Sequence, residues 1–246
     1  MRVDAISVEL RPRPMWEAAD LGVRLVQAHA GSVWRTWAPV YLVFAALALA
    51  TVEISPWLPS LLIFWFKPWM DRSILFVLSR AVFGQSTGFA DLWAAKGSVW
   101  GGQLFTTLLW RRLSPWRAFT QPIYQLEGQR GKARRQRRTQ LLRQQRGAAG
   151  GMHFAFANIE ASLTFGTLAL ALWFAPEQLR GDIFTWLTGR GDEGSDTLAS
   201  LCSASVYAAI VLLLEPFYVA AGFAMYLNRR VQLEAWDIEQ EFRRAF

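Results

Sequence analysis

In or beside long apolar stretches stand the bases Lys67, Arg72 and Arg80 and the acids Glu53, Asp71, Glu160 and Glu215, of which all but Glu53 are candidates for an intramembrane charge network. An ionised side chain at the centre of a bilayer costs ~2.5–3.5 kcal/mol on insertion scales, so such a residue pairs, lines a polar cavity, meets another subunit or gives up its charge. Three roles are open to Glu215: an ion pair that fixes helix register, a step on a proton or substrate path, and a contact with a partner subunit. Arg72 is its expected partner. Arg80 comes second because a base near a helix end can snorkel to the interface, and Lys67 is the remaining candidate. Pro216 lacks the amide that would bond the carbonyl of Leu212. That carbonyl is left to accept from another element, and the helix is expected to kink there.

Signals for catalysis are missing from the chain. It has no glycine-rich phosphate loop after a strand, no nucleophile elbow, no HExxH and no close pair of acids beside a histidine. His29 and His153 lack Cys or acidic neighbours at metal-ligand spacing, so no metal is expected. The single cysteine, Cys202, sits in an apolar run and cannot form a disulfide framework. The expectation is a protein that is not an enzyme and carries no cofactor.

The elements that hold these charges are legible from hydropathy. A chain of 246 residues that is 53% hydrophobic and 14% aromatic, with 13 Trp, has the composition of a membrane protein. A spanning helix needs ~20 mostly apolar residues, and residues 33–53, 154–175 and 198–227 supply them. Residues 57–83 form a fourth stretch, interrupted by Lys67, Pro68, Asp71, Arg72 and Arg80, and are expected as one kinked helix or a broken one. Residues 98–110 are too short to span and are expected to lie in the interface or re-enter. The fold class is all-α and polytopic, with about four transmembrane helices and six as the alternative. Residues 1–32 are expected as an amphipathic helix on the cytoplasmic side, since Trp16, Ala19, Val23, Val26, Ala30, Val33 and Trp37 recur at helical spacing. That face either lies in the interface or packs on the protein's own helices.

Orientation follows from the bases. Residues 111–150 contain eleven Lys or Arg and one acid, Glu127, whereas residues 176–197 contain two bases and five acids. By the positive-inside rule the first segment is a cytoplasmic loop and the second an external one. Both termini, including a helix over 228–246, then lie in the cytoplasm. Within the basic segment GQRGKARRQRRTQLLRQQRG, residues 128–147, Lys132, Arg134, Arg135, Arg137 and Arg138 are candidate contacts for anionic lipid headgroups or for an acidic partner. Aromatic residues that would stack on bases are not interleaved with them, which argues against nucleic acid.

The stretches RPRPMWEAADLGVRLVQAHAGSVWRTW and EPFYVAAGFAMYLNRRVQLEAWDIEQEF, with FKPWMDRSILFVLSRAVFG between them, resemble bacterial polytopic proteins similar to the membrane domain found on some glycerophosphodiester phosphodiesterases. In those proteins the activity belongs to a separate soluble barrel. The resemblance therefore implies a membrane module of the inner membrane and not a phosphodiesterase. It also implies proximity to stage II sporulation protein M-type proteins, RDD-family proteins and MoxR-type ATPases, with other integral membrane subunits as partners. The expected function is a non-catalytic subunit or scaffold of an envelope complex. The alternative is a small transporter or lipid-handling protein that uses buried charges, distinguished by a polar cavity reaching Glu215.

Overall fold

The computed structural model describes residues 12–102, 106–174 and 193–234. Among them every regular element is helical. In chain order these are α1 (Met15–Ala28), α2 (Ala30–Leu49, prolonged by a 3-10 turn at Ala50–Glu53), α3 (Leu58–Ala81), α4 (Phe89–Ala94) and α5 (Lys96–Trp100). A π-helical turn at Thr106–Arg111 precedes α6 (Arg117–Gln125), α7 (Gly131–Leu142), α8 (Arg146–Phe174) and α9 (Glu193–Glu234). Three helical stretches are long and apolar enough to cross a membrane: Ala30–Glu53, Arg146–Phe174 and Thr197–Glu234.

The long helix α9 is the hub against which α1, α2, α3, α6, α7 and α8 all pack. Its contact with α1 is the closest, because Gly22 lies so near the backbone of Ala220 and Ala221 that a β-carbon there would overlap it. Small residues at the crossing let the backbones approach, as in membrane helix pairs generally. This dictates which face of α1 is buried. The inward stripe is Met15, Ala18, Ala19, Gly22 and Val26, while Trp16 is 52% exposed. The sequence pattern groups Trp16 and Val23 with Ala19 and Val26 on one apolar face. The need for alanine and glycine at the crossing turns the helix away from that face, and α1 packs on the protein's own helices. The stripe resumes in α2 with Val33, Thr36, Trp37, Tyr41, Ala45 and Ala48. At the start of α1, Asn228 clamps Arg13 by accepting from its amide at 2.9 Å and donating to its carbonyl at 2.8 Å.

Several boundaries differ from the sequence reading. Residues 58–81 form one helix that runs through Pro68 without a break. The interfacial stretch 98–110 divides into α5 and the π-helical turn. The basic stretch 111–150 contains α6, α7 and the first turn of α8, so α8 starts well before the apolar run at Phe154. Beyond that start α8 stands almost clear of the bundle, with Phe165, Trp173 and Phe174 more than two-thirds exposed. Residues 228–234 continue α9. The expected external loop lies mostly outside the described residues, as does the rest of the expected C-terminal helix.

Candidate functional site

Spacing on α3 starts the site. Lys67 and Asp71 are four residues apart and therefore share a helical face, which is turned toward α9. Arg72 is one position further round and points elsewhere. Lys67 Nζ lies 2.6 Å from Glu215 Oε2 on α9 and also bonds Glu160 Oε2 on α8. Arg117, the first residue of α6, donates from Nη2 to Glu215 Oε1 at 2.6 Å and from Nε to the Tyr218 hydroxyl at 3.1 Å. Its Nη1 lies 3.8 Å from Asp71 Oδ2. Tyr207 donates to Glu160 Oε1 at 3.0 Å, and the Tyr218 hydroxyl sits 2.9 Å from His153 Nδ1. The charges thus alternate in one chain: Asp71, Arg117, Glu215, Lys67, Glu160.

Burial makes that chain demanding. Lys67, Asp71, Arg117 and Glu215 are all at most 4% exposed. A buried charge stripped of its partner costs ~3–5 kcal/mol, so each member depends on its neighbours. Pro216 does what its missing amide requires: α9 continues through it, and the carbonyl of Leu212 accepts from Trp37 Nε1 at 3.2 Å.

Two sequence candidates lie outside this chain. Arg72 was the expected partner of Glu215, and that expectation is corrected. Its Nη2 donates to Thr107 Oγ1 at 2.6 Å and its Nη1 to the carbonyl of Gly102 at 3.1 Å, so it ties α3 to the segment around the π-helical turn. The cause is angular, since one residue of helix rotates the side chain by about 100° from Asp71. Arg80 rests over the Phe76 ring at 4.2 Å from its centroid and is not part of the chain of charges.

Beside the charges a cleft of about 830 Å3 opens between α3, α8 and α9. Lys67, Arg112, Arg117, Glu160 and Glu215 reach its floor, and its apolar walls include Trp57, Phe64, Phe165 and Leu168. The rim is exposed, at 63% for Trp57 and 71% for Phe165. A concave apolar site with a few convergent polar groups is the usual form of a small-molecule site.

No protein-family model, curated protein or solved structure matches the chain.

Arg117 and Arg112 are the residues of this site that sequence reasoning missed, because both were counted with the positive-inside loop. One signal separated them. They lie in the apolar surroundings LLWRRLSPWRAF, whereas the bases of residues 128–147 lie among glycine and glutamine. One of the latter group, Arg137, belongs to a second ionic cluster with Glu127, Arg230 and Glu234. Arg137 on α7 donates to Glu127 at 2.9 Å from both Nε and Nη2 and also bonds Glu234, while Tyr226 donates to Glu127 at 2.7 Å. Those hydrogen bonds to Glu127 are the largest influence on Arg137 and hold its guanidinium above the ordinary arginine range. Lys132 and Arg135 are exposed, Arg134 and Arg138 half-buried, and Arg138 lies over the Trp116 ring at 5.6 Å. Among the described residues no group of three His, Cys, Asp or Glu is placed to hold a metal.

Proposed function

We propose that this protein is a non-catalytic lipid-handling protein of the bacterial cytoplasmic membrane, which takes an amphiphile from the bilayer into the cleft between α3, α8 and α9. The observation that carries this reading is the cleft itself, with apolar walls, an exposed rim and a floor of buried charges. An amphiphile has the matching division, a polar head for the floor and apolar tails for the walls. Glu215 lies within the apolar part of α9, which supports a floor at membrane depth. Buried intramembrane charges beside a cavity are the usual mark of a substrate path.

In this proposal α3 is a fourth crossing. Its length suits a span, and Lys67, Asp71 and Arg72 are all turned inward at 4% exposure or less. The π-helical turn and α6 dip into the membrane from the cytoplasmic side, and α6 carries Arg117 to the floor. Both termini and α7 face the cytoplasm, where the bases of α7 meet anionic headgroups and no nucleic acid. The likeness of the chain's ends to the membrane domain of glycerophosphodiester phosphodiesterases fits a module that works beside acyl lipids.

A second reading, subunit of an envelope complex, rests on the outer part of α8, whose apolar window is unburied within the chain. Lipid covers such a face equally well, which is why the cleft carries the proposal.

The test is lipid retention. Protein purified in an uncharged detergent is expected to hold lipid at about one per chain by mass spectrometry, and Ala161→Trp, placed in the cleft wall, is expected to lose it. A wild-type protein without bound lipid, or a variant that retains it unchanged, overturns the proposal.

A further inference from the structure

Arg112 differs from every other charged residue at the floor of the cleft. Lys67 is held by Glu160 and Glu215, and Arg117 by Glu215 with Asp71 beyond. Arg112 is 8% exposed, yet among the described residues it has neither an ion pair nor a hydrogen bond, and its Nε is buried without a partner. Its guanidinium lies over the Phe64 ring at 3.3 Å from the centroid. Stacking occupies a face of the guanidinium plane and leaves the N–H groups at its edge available. Of the three bases that line the cleft, Lys67 and Arg117 are matched by Glu160, Glu215 and, behind Arg117, Asp71, so Arg112 is the lining base that none of these carboxylates pairs.

A buried arginine stays charged and is costly without an anion, because its donors are taken from water with no replacement. The guanidinium fork matches the oxygens of a phosphate or carboxylate. We propose that Arg112 is the headgroup anchor of the cleft and that the lipid it holds carries a net negative headgroup. This inference rests on the lipid-handling reading and adds the sign of the ligand's charge to it. The carboxylates do not repel such a headgroup from Arg112, since Lys67, Arg117 and Tyr207 already engage them. The acyl chains then run between Phe64 and Phe165 toward the exposed rim.

Binding of labelled phosphatidylglycerol and phosphatidylcholine to the full chain in uncharged detergent tests this. Wild type is expected to prefer phosphatidylglycerol by about tenfold, the worth of one charge-assisted pair of hydrogen bonds. Arg112→Gln is expected to remove the preference while phosphatidylcholine still binds, and Arg112→Lys to restore part of it. Equal affinity of the wild type for both lipids overturns the inference and leaves the lipid-handling reading standing. Binding of neither lipid overturns both. Inorganic phosphate that displaces labelled phosphatidylglycerol at millimolar concentration marks the site as one for a water-soluble anion and also overturns the inference. The wild-type comparison decides the matter even if an Arg112 variant does not fold.

Discussion

Lys67 Nζ on α3 and Glu215 Oε2 on α9 meet at 2.6 Å with both side chains almost wholly buried. Neither residue can sit at that depth alone, so the pair fixes the register of two helices far apart in the chain. Glu215 also bonds Arg117, and a third helix is tied in through the same carboxylate.

The first prediction separates true partners from false ones. In a double-mutant cycle on thermal stability in detergent, Glu215→Gln and Arg117→Met are expected to couple by ~0.5–3 kcal/mol, as residues in direct contact do. Glu215→Gln and Arg72→Met are expected to add within ~0.3–0.5 kcal/mol, because they share no partner. Coupling between Glu215 and Arg72 larger than that between Glu215 and Arg117 contradicts the site geometry.

Close helix approach gives the second. A β-carbon on Gly222 would overlap Ala118 and crowd the amide nitrogen of Phe119 at 2.9 Å. Gly222→Val is therefore expected to cost ~1–3 kcal/mol through overpacking, while Gly166→Ala, with no neighbouring atom within 4 Å, is expected to cost nothing. Equal melting temperatures for the two variants contradict the packing of α6 on α9.

The third concerns α7. Arg137 joins Glu127 on one side to Glu234 on the other, and Arg137→Gln should free the basic helix for cleavage by trypsin at Lys132, Arg134 and Arg135. The carboxylate contacts raise the affinity of Arg137 for its proton. A base whose proton is held more tightly in the folded state contributes stability that is lost only as pH rises through its raised value. Protection of α7 should therefore persist to about pH 10, well below the arginine range. Loss of protection between neutral pH and that point contradicts the clamp.

Much of the architecture was legible in the sequence, for a physical reason. The expected apolar runs 33–53, 154–175 and 198–227 fall on the helices Ala30–Glu53, Arg146–Phe174 and Thr197–Glu234, because a bilayer span imposes a minimum apolar length that hydropathy records directly. The site was legible only as a set of charges. Lys67, Asp71, Glu160 and Glu215 stood out against apolar neighbours, but partner choice depends on the angle at which each leaves its helix and on how helices cross. Arg72 illustrates the first, being one residue from Asp71 and turned toward Thr107. Arg117 illustrates the second, because the return of α6 against α9 brings a base assigned to a loop onto Glu215. The buried face of α1 was displaced for a related reason, the glycine contact with Ala220, which no hydrophobic pattern encodes.

The fourth prediction tests the crossing of α3. In a Cys202→Ala background, Glu53→Cys before α3 is expected to react with an impermeant thiol reagent in intact cells, whereas Gln85→Cys after α3 and Thr139→Cys on α7 react only after lysis. All three positions are exposed in the fold. Labelling of Gln85→Cys in intact cells contradicts a crossing by α3.

The most direct measurement of the central claim maps where acyl chains touch the protein. Lipid carrying a photoactivatable group in its acyl chain is incorporated with the protein into bilayers, irradiated, and the adducts located by peptide mass spectrometry. The lipid-handling account predicts adducts concentrated on the cleft residues Phe64, Leu168 and Leu214 and suppressed by excess unlabelled phosphatidylglycerol. Adducts spread evenly along the outer face of α8, as strong at Leu170 and Trp173 as in the cleft and indifferent to competing lipid, would contradict it.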